Sequence, residues 1–76
     1  YPAAKKIIHI LENIEQLTPT QFETLHNNIE VSLKQAQSHF EKNNKAAQLQ
    51  AHIPMQQLSM INQILPPLYQ AIQKCC

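Results

Sequence analysis

The chain has 76 residues, a formal net charge of +1 with neutral histidines, and no Gly, Trp, Arg or Asp. Without Gly it has neither a P-loop nor a dinucleotide-binding loop, and tight β-hairpin turns are disfavoured. Without Asp it lacks the EF-hand pattern and the Ser-His-Asp arrangement, and six scattered lysines without Arg form no footprint for nucleic acid.

The first segment carries Ile7, Ile10, Leu11, Ile14 and Leu17 at steps of three and four, with Lys6, His9, Glu12, Asn13, Glu15 and Gln16 between them. That spacing predicts an amphipathic helix over 3–17, with Pro2 at its mouth. Thr18-Pro19-Thr20-Gln21 is a restart signal. Thr18 can cap, Pro19 suits the first helical position, and Gln21 can complete a capping box. Leu17 and Phe22 flank the cap as a hydrophobic staple. So tight a joint predicts that the first two helices form an antiparallel hairpin.

The second helix places Phe22, Leu25, Ile29, Leu33, Ala36 and Phe40 on one stripe. Glu30/Lys34 and Glu41/Lys45 are supporting pairs four residues apart. The helix is expected to end near Asn43-Asn44, because Asn terminates helices where Gly is absent, or else to run on through residues 45–52. Beyond it, Pro54 and Pro66-Pro67 interrupt a pattern running from Ala47 to Ile72. Proline lacks the N–H of the helical ladder and pushes the preceding residue out of the α region. The expectation is a helix over 55–65, a proline break, and a short fourth helix over 67–74. The fold class is therefore all-α: a small bundle of three main helices plus a short C-terminal one. Residues 1–76 read as a single helical domain cut from a longer chain. The core is expected at Ile14, Leu25, Ile29, Leu33, Leu58, Ile61 and Leu65.

No catalytic motif emerges. Glu23 and His26 form a Glu-x-x-His pair, but a di-metal bundle needs a second copy and further carboxylates. His9, His26, His39 and His52 show no i,i+4 pair of the zinc type. No metal, cofactor or enzymatic activity is expected. No uninterrupted apolar run reaches the about 18 residues of a membrane span.

Cys75-Cys76 resembles the terminal cysteine pair that Rab-type small GTPases carry for prenylation. The resemblance is confined to those two residues, and it implies a lipidated peripheral membrane module. Palmitoylation and an intermolecular disulfide are the other functional readings of the pair. Otherwise the two thiols simply pack as small apolar residues at the end of the chain.

Apolar side chains exceed what a thin three-helix core needs: Ile8, Leu49, Ile53, Met55, Met60 and Tyr69 fall off the main stripes. Methionine adapts to varied partner surfaces. The leading expectation is a non-enzymatic interaction module that receives a partner helix or peptide in an apolar groove formed by Ile53, Met55, Met60 and Tyr69, or that self-associates. The lipidated module and a helical piece of a secreted effector are the alternatives.

Overall fold

The computed structural model describes residues 2–43 and 45–75, with side chains described for 3–39, 42 and 53–75. It is all-α, with three α-helices and no strand among the described residues. Helix α1 spans Pro2–Asn13, α2 spans Pro19–Asn43 and α3 spans Lys45–Lys74. A 3-10 turn, Ile14–Gln16, follows α1.

Helix α1 buries Ala3, Ile7 and Ile10, three residues that return to one face at steps of four and three. The helix expected over 3–17 stops early as an α-helix. Asn13 has φ −119° and ψ 14°, outside helical geometry, and its side-chain amide donates to the His9 carbonyl at 2.9 Å. Such local side-chain bonds compete with the helical ladder. The 3-10 turn still carries Ile14 into the core.

The joint between α1 and α2 follows its sequence signals closely. The Thr18 amide donates to Gln21 Oε1 at 3.1 Å, and the Gln21 amide donates to Thr18 Oγ1 at 3.2 Å. This reciprocal pair satisfies two donors that the start of a helix leaves open. Leu17 is extended, with φ −76° and ψ 134°, and packs partly buried against the core, while Phe22 is buried. Along α2 the stripe continues through half-buried Leu25 and buried Ile29 and Leu33. Phe40, Glu41 and Lys45, also assigned contacts from the sequence, have side chains outside those described.

Helix α3 differs most from expectation. It is one continuous helix of 30 residues that runs through Pro54, Pro66 and Pro67. There is no proline break and no separate fourth helix over 67–74. Each interior proline costs about 3 kcal/mol relative to alanine. Burial of the α3 stripe offsets this at the second site, where Leu65 and Tyr69 bracket the proline pair inside the core. At about 1.5 Å per residue α3 is about 45 Å long, close to the 47 Å long axis of the molecule. It forms the spine. Helix α2 makes the main contact with it, and α1 packs chiefly on α2 and less on α3.

The rotation of α3 about its axis also corrects one core assignment. Ile61 is 40% exposed, and Asn62, at 2%, takes the interior position. The buried and half-buried stripe is Leu58, Asn62, Leu65, Tyr69 and Ile72. Tyr69 sets this phase. Its hydroxyl donates to the Leu17 carbonyl at 2.6 Å, and its ring stacks on Phe22 with centroids 4.3 Å apart and planes 13° from parallel. Asn62 lies seven residues before Tyr69, on the same face, and is carried inside with it.

Candidate interaction face

The four residues grouped from the sequence as a partner groove do not share a face. Ile53 and Met60 are seven residues apart, two helical turns, and lie together on the outside at 63% and 62% exposure. Met55 and Tyr69 are fourteen apart and share a different side. Met55 is half-buried and Tyr69 is buried with its hydroxyl bonded. α3 passes through Pro54 as a helix. Tyr69 therefore belongs to the core. Its phenol ring has the apolar body and the polar tip that a thin core can hold when a carbonyl is within reach.

The outer side of α3 instead collects Ile53, Met60, Ile61, Ile64 and Leu68, all exposed. Ile64 is 58% exposed. Ile53, Gln57, Met60, Ile64 and Leu68 follow one another at steps of four, three, four and four, close to the spacing of a helix–helix seam. From Ile53 to Gln73 the chain carries no charged residue and no histidine. Gln56 and Gln63 lie on the flanks of the seam and Gln57 within it, all exposed. Exposed Ile8 and Leu11 form an adjacent pair on α1, Val31 stands singly on α2, and all three lie among charged neighbours. Small apolar exposure of that kind is ordinary for a folded surface.

A second feature is a cleft of about 560 Å³ between the first turns of α2 and the last turns of α3. Phe22 and Tyr69 contribute aromatic edges, Pro19 and Pro66 flank them, and Glu23, Asn27, Gln70 and Gln73 supply polar groups. His26 also lines the cleft and stacks on Phe22, with ring centroids 5.8 Å apart and planes at 11°. Its Nε2 lies 2.8 Å from the main-chain oxygen of Asn62. A carbonyl only accepts, so this nitrogen carries the hydrogen. Glu30 lies one turn further along α2, with Oε1 3.9 Å from the same nitrogen.

The Glu23/His26 pair singled out in the sequence thus works differently in the fold. Both line the cleft, Glu23 exposed and His26 hydrogen-bonded across to α3. Among the described residues no three His, Cys, Asp or Glu side chains gather as metal ligands, and no helix is long and apolar enough to cross a membrane. Cys75 is exposed with a free thiol just beyond α3, and Cys76 lies outside the described residues. The role of Asn62 had no sequence signal, because a lone Asn in an apolar helix reads as surface. The charge-free stretch was visible in the sequence but gains meaning only once the covered face of α3 is known.

No family model matches the chain, and no solved structure matches it. It is similar to an uncharacterized protein of Haemophilus influenzae (strain KW20 Rd), with 40% identity over 76 residues. That alignment covers 97% of this chain and 10% of the relative. The chain spans about a tenth of the length of the curated relative it matches.

Proposed function

We propose that this chain is a non-enzymatic helical interaction module and that the outer face of α3 is the surface a protein partner covers. The observation that carries the reading is the uncovered seam Ile53, Met60, Ile64 and Leu68 on a helix whose opposite side already forms the core. Apolar side chains aligned along one helix are most economically covered by another helix laid against them. The reading takes α1 and α2 as an antiparallel hairpin closed against α3 into a small bundle. The capping box at Thr18 and the Tyr69–Leu17 hydrogen bond support that arrangement.

The same surface favours a protein over a lipid partner. Helices that lie in a membrane interface carry Lys and Arg on their polar side to meet anionic headgroups, and α3 has none between Ile53 and Gln73. The lipidated alternative rests on the exposed Cys75 beside Lys74.

A photo-reactive amino acid at position 64, introduced in the cell that makes the protein, tests the proposal, with the same group at exposed Lys34 on α2 as control. Cross-linking to a protein from position 64 and not from position 34 is expected. Equal cross-linking from both sites, or none from position 64, overturns it.

A further inference from the structure

We infer that the outer face of α3 pairs with the same face of a second copy of this chain, as two antiparallel helices related by a two-fold axis. The inference rests on the interaction reading above and names its partner. Three observations point to a second copy.

The first is charge. In paired helices, charged residues beside the apolar seam choose the partner and its orientation, and like charges meeting across a two-fold axis are repulsive. Between Ile53 and Gln73 there is no charge to select a different partner or to repel an identical one. The other helices differ: Lys5, Lys6, Glu12 and Glu15 flank the exposed Ile8 and Leu11, and Glu30 and Lys34 flank Val31.

The second is register. A two-fold axis placed between Met60 and Ile61 sets Met60 of each chain against Ile61 of the other. The same axis sets Ile53 against Leu68 and Gln57 against Ile64. Every large exposed apolar side chain of the face then has a counterpart, as an isologous interface requires. The seam from Ile53 to Leu68 is about 22 Å long at 1.5 Å per residue, so the paired stretch lies wholly within α3.

The third is the flank. Gln56 and Gln63 carry amides that both donate and accept, so each can bond to an amide of an identical chain. Gln57 is the one polar residue of the seam. A single polar residue within an apolar seam fixes register and costs some affinity.

Sedimentation equilibrium on the 76-residue chain, from micromolar to millimolar concentration, tests the pairing. A rise in mean mass toward twice the monomer is expected. Met60→Glu combined with Ile64→Glu places charges near the axis and is expected to weaken association at least about tenfold, with circular dichroism unchanged. In a second measurement Cys75 and Cys76 are replaced by Ser, and Ile53→Cys and Leu68→Cys are introduced. Oxidation is expected to link position 53 of one copy to position 68 of the other. Links of 53 to 53 and 68 to 68 would overturn the antiparallel arrangement. A monomer at every concentration overturns the self-pairing. If position 64 then still cross-links to another protein in the cell, the interaction reading stands alone. If the double Glu variant unfolds, the face is core and both readings fall.

Discussion

His26 on α2 supplies the hydrogen that Pro66 removes from α3. In an uninterrupted helix the carbonyl of Asn62 would accept from the amide of residue 66, but proline has no amide hydrogen. The Nε2 of His26 reaches that oxygen at 2.8 Å from the neighbouring helix. A buried carbonyl left without a donor costs about 1–3 kcal/mol, and Asn62 is buried. The tertiary contact thus replaces a bond internal to α3 and lets the helix continue past the proline pair to Lys74.

This relation predicts that His26→Ala loosens the end of α3 more than its middle. The expected loss is about 1–3 kcal/mol from the orphaned carbonyl. Amide exchange between Leu68 and Lys74 should accelerate relative to exchange between Leu58 and Leu65. His26→Gln, which can offer an amide donor in a similar position, should restore part of the protection. Uniform acceleration along α3 in His26→Ala would show that the contact supports the whole fold and not the proline site.

Tyr69→Phe removes one hydroxyl and little volume. Its hydrogen bond to the Leu17 carbonyl, at 2.6 Å, joins α3 to the turn between α1 and α2. A loss of about 1 kcal/mol is expected, which in a domain this small lowers the melting temperature by about 4–8 °C. Retention of the ring stack on Phe22 should leave the helical circular dichroism signal unchanged. A melting temperature equal to that of the parent would mean that water serves both groups as well as they serve each other.

Local signals in the sequence carried most of the architecture. The Thr18/Gln21 box and the Phe22–Leu33 stripe involve residues within a few positions of one another, and their geometry follows from the chain itself. The sequence of α3 is ambiguous. Its apolar residues occupy two sides, so steps of three and four could be drawn through Ile61 as readily as through Asn62. Only Tyr69, held by Leu17 and Phe22 from distant parts of the chain, chooses between them. The proline pair reads as a helix break for a related reason. The donor that rescues the Asn62 carbonyl comes from His26, thirty-six residues away, and no local pattern encodes it. The same ambiguity grouped Tyr69 and Met55 with the outward-facing Ile53 and Met60.

The assigned phase of α2 and α3 can be checked with a pair of substitutions. Ile29 is completely buried and Ile61 is 40% exposed. Ile29→Ala should cost about 2–5 kcal/mol, the range for deleting buried methyl groups, and in a chain this short that can abolish folding. Ile61→Ala should cost far less, within about 1 kcal/mol of the parent for the monomer. Thermal melts at low concentration separate the two. Comparable losses at both positions would place Ile61 in the core and rotate α3 from the orientation described.

Asn62→Leu gives the sharpest test of how the interior is built. The Asn62 side chain is buried at 2% exposure, and its Oδ1 has no hydrogen-bond partner. Burying an amide oxygen without a donor costs about 1–3 kcal/mol in proteins. Leucine has the same branching of side-chain heavy atoms in a somewhat larger volume, carries no polar atom, and leaves the main-chain oxygen that His26 bonds in place. The substitution should therefore stabilise the domain, by about 1–2 kcal/mol after allowance for imperfect packing of the branched end. Denaturant unfolding measures this directly, and the slope of the transition should not change if the folded state keeps its compactness. A lower midpoint would mean that the Asn62 amide has a bonding role worth more than the apolar contact leucine offers. The double substitution with His26→Ala then tells which atom matters. The side-chain oxygen of Asn62 has no partner and its main-chain oxygen meets His26, so the gain from leucine and the loss from alanine should add to within about 0.5 kcal/mol. A large departure from additivity would mean that His26 holds the side chain as well as the carbonyl, and that the polar interior of α3 acts as one unit.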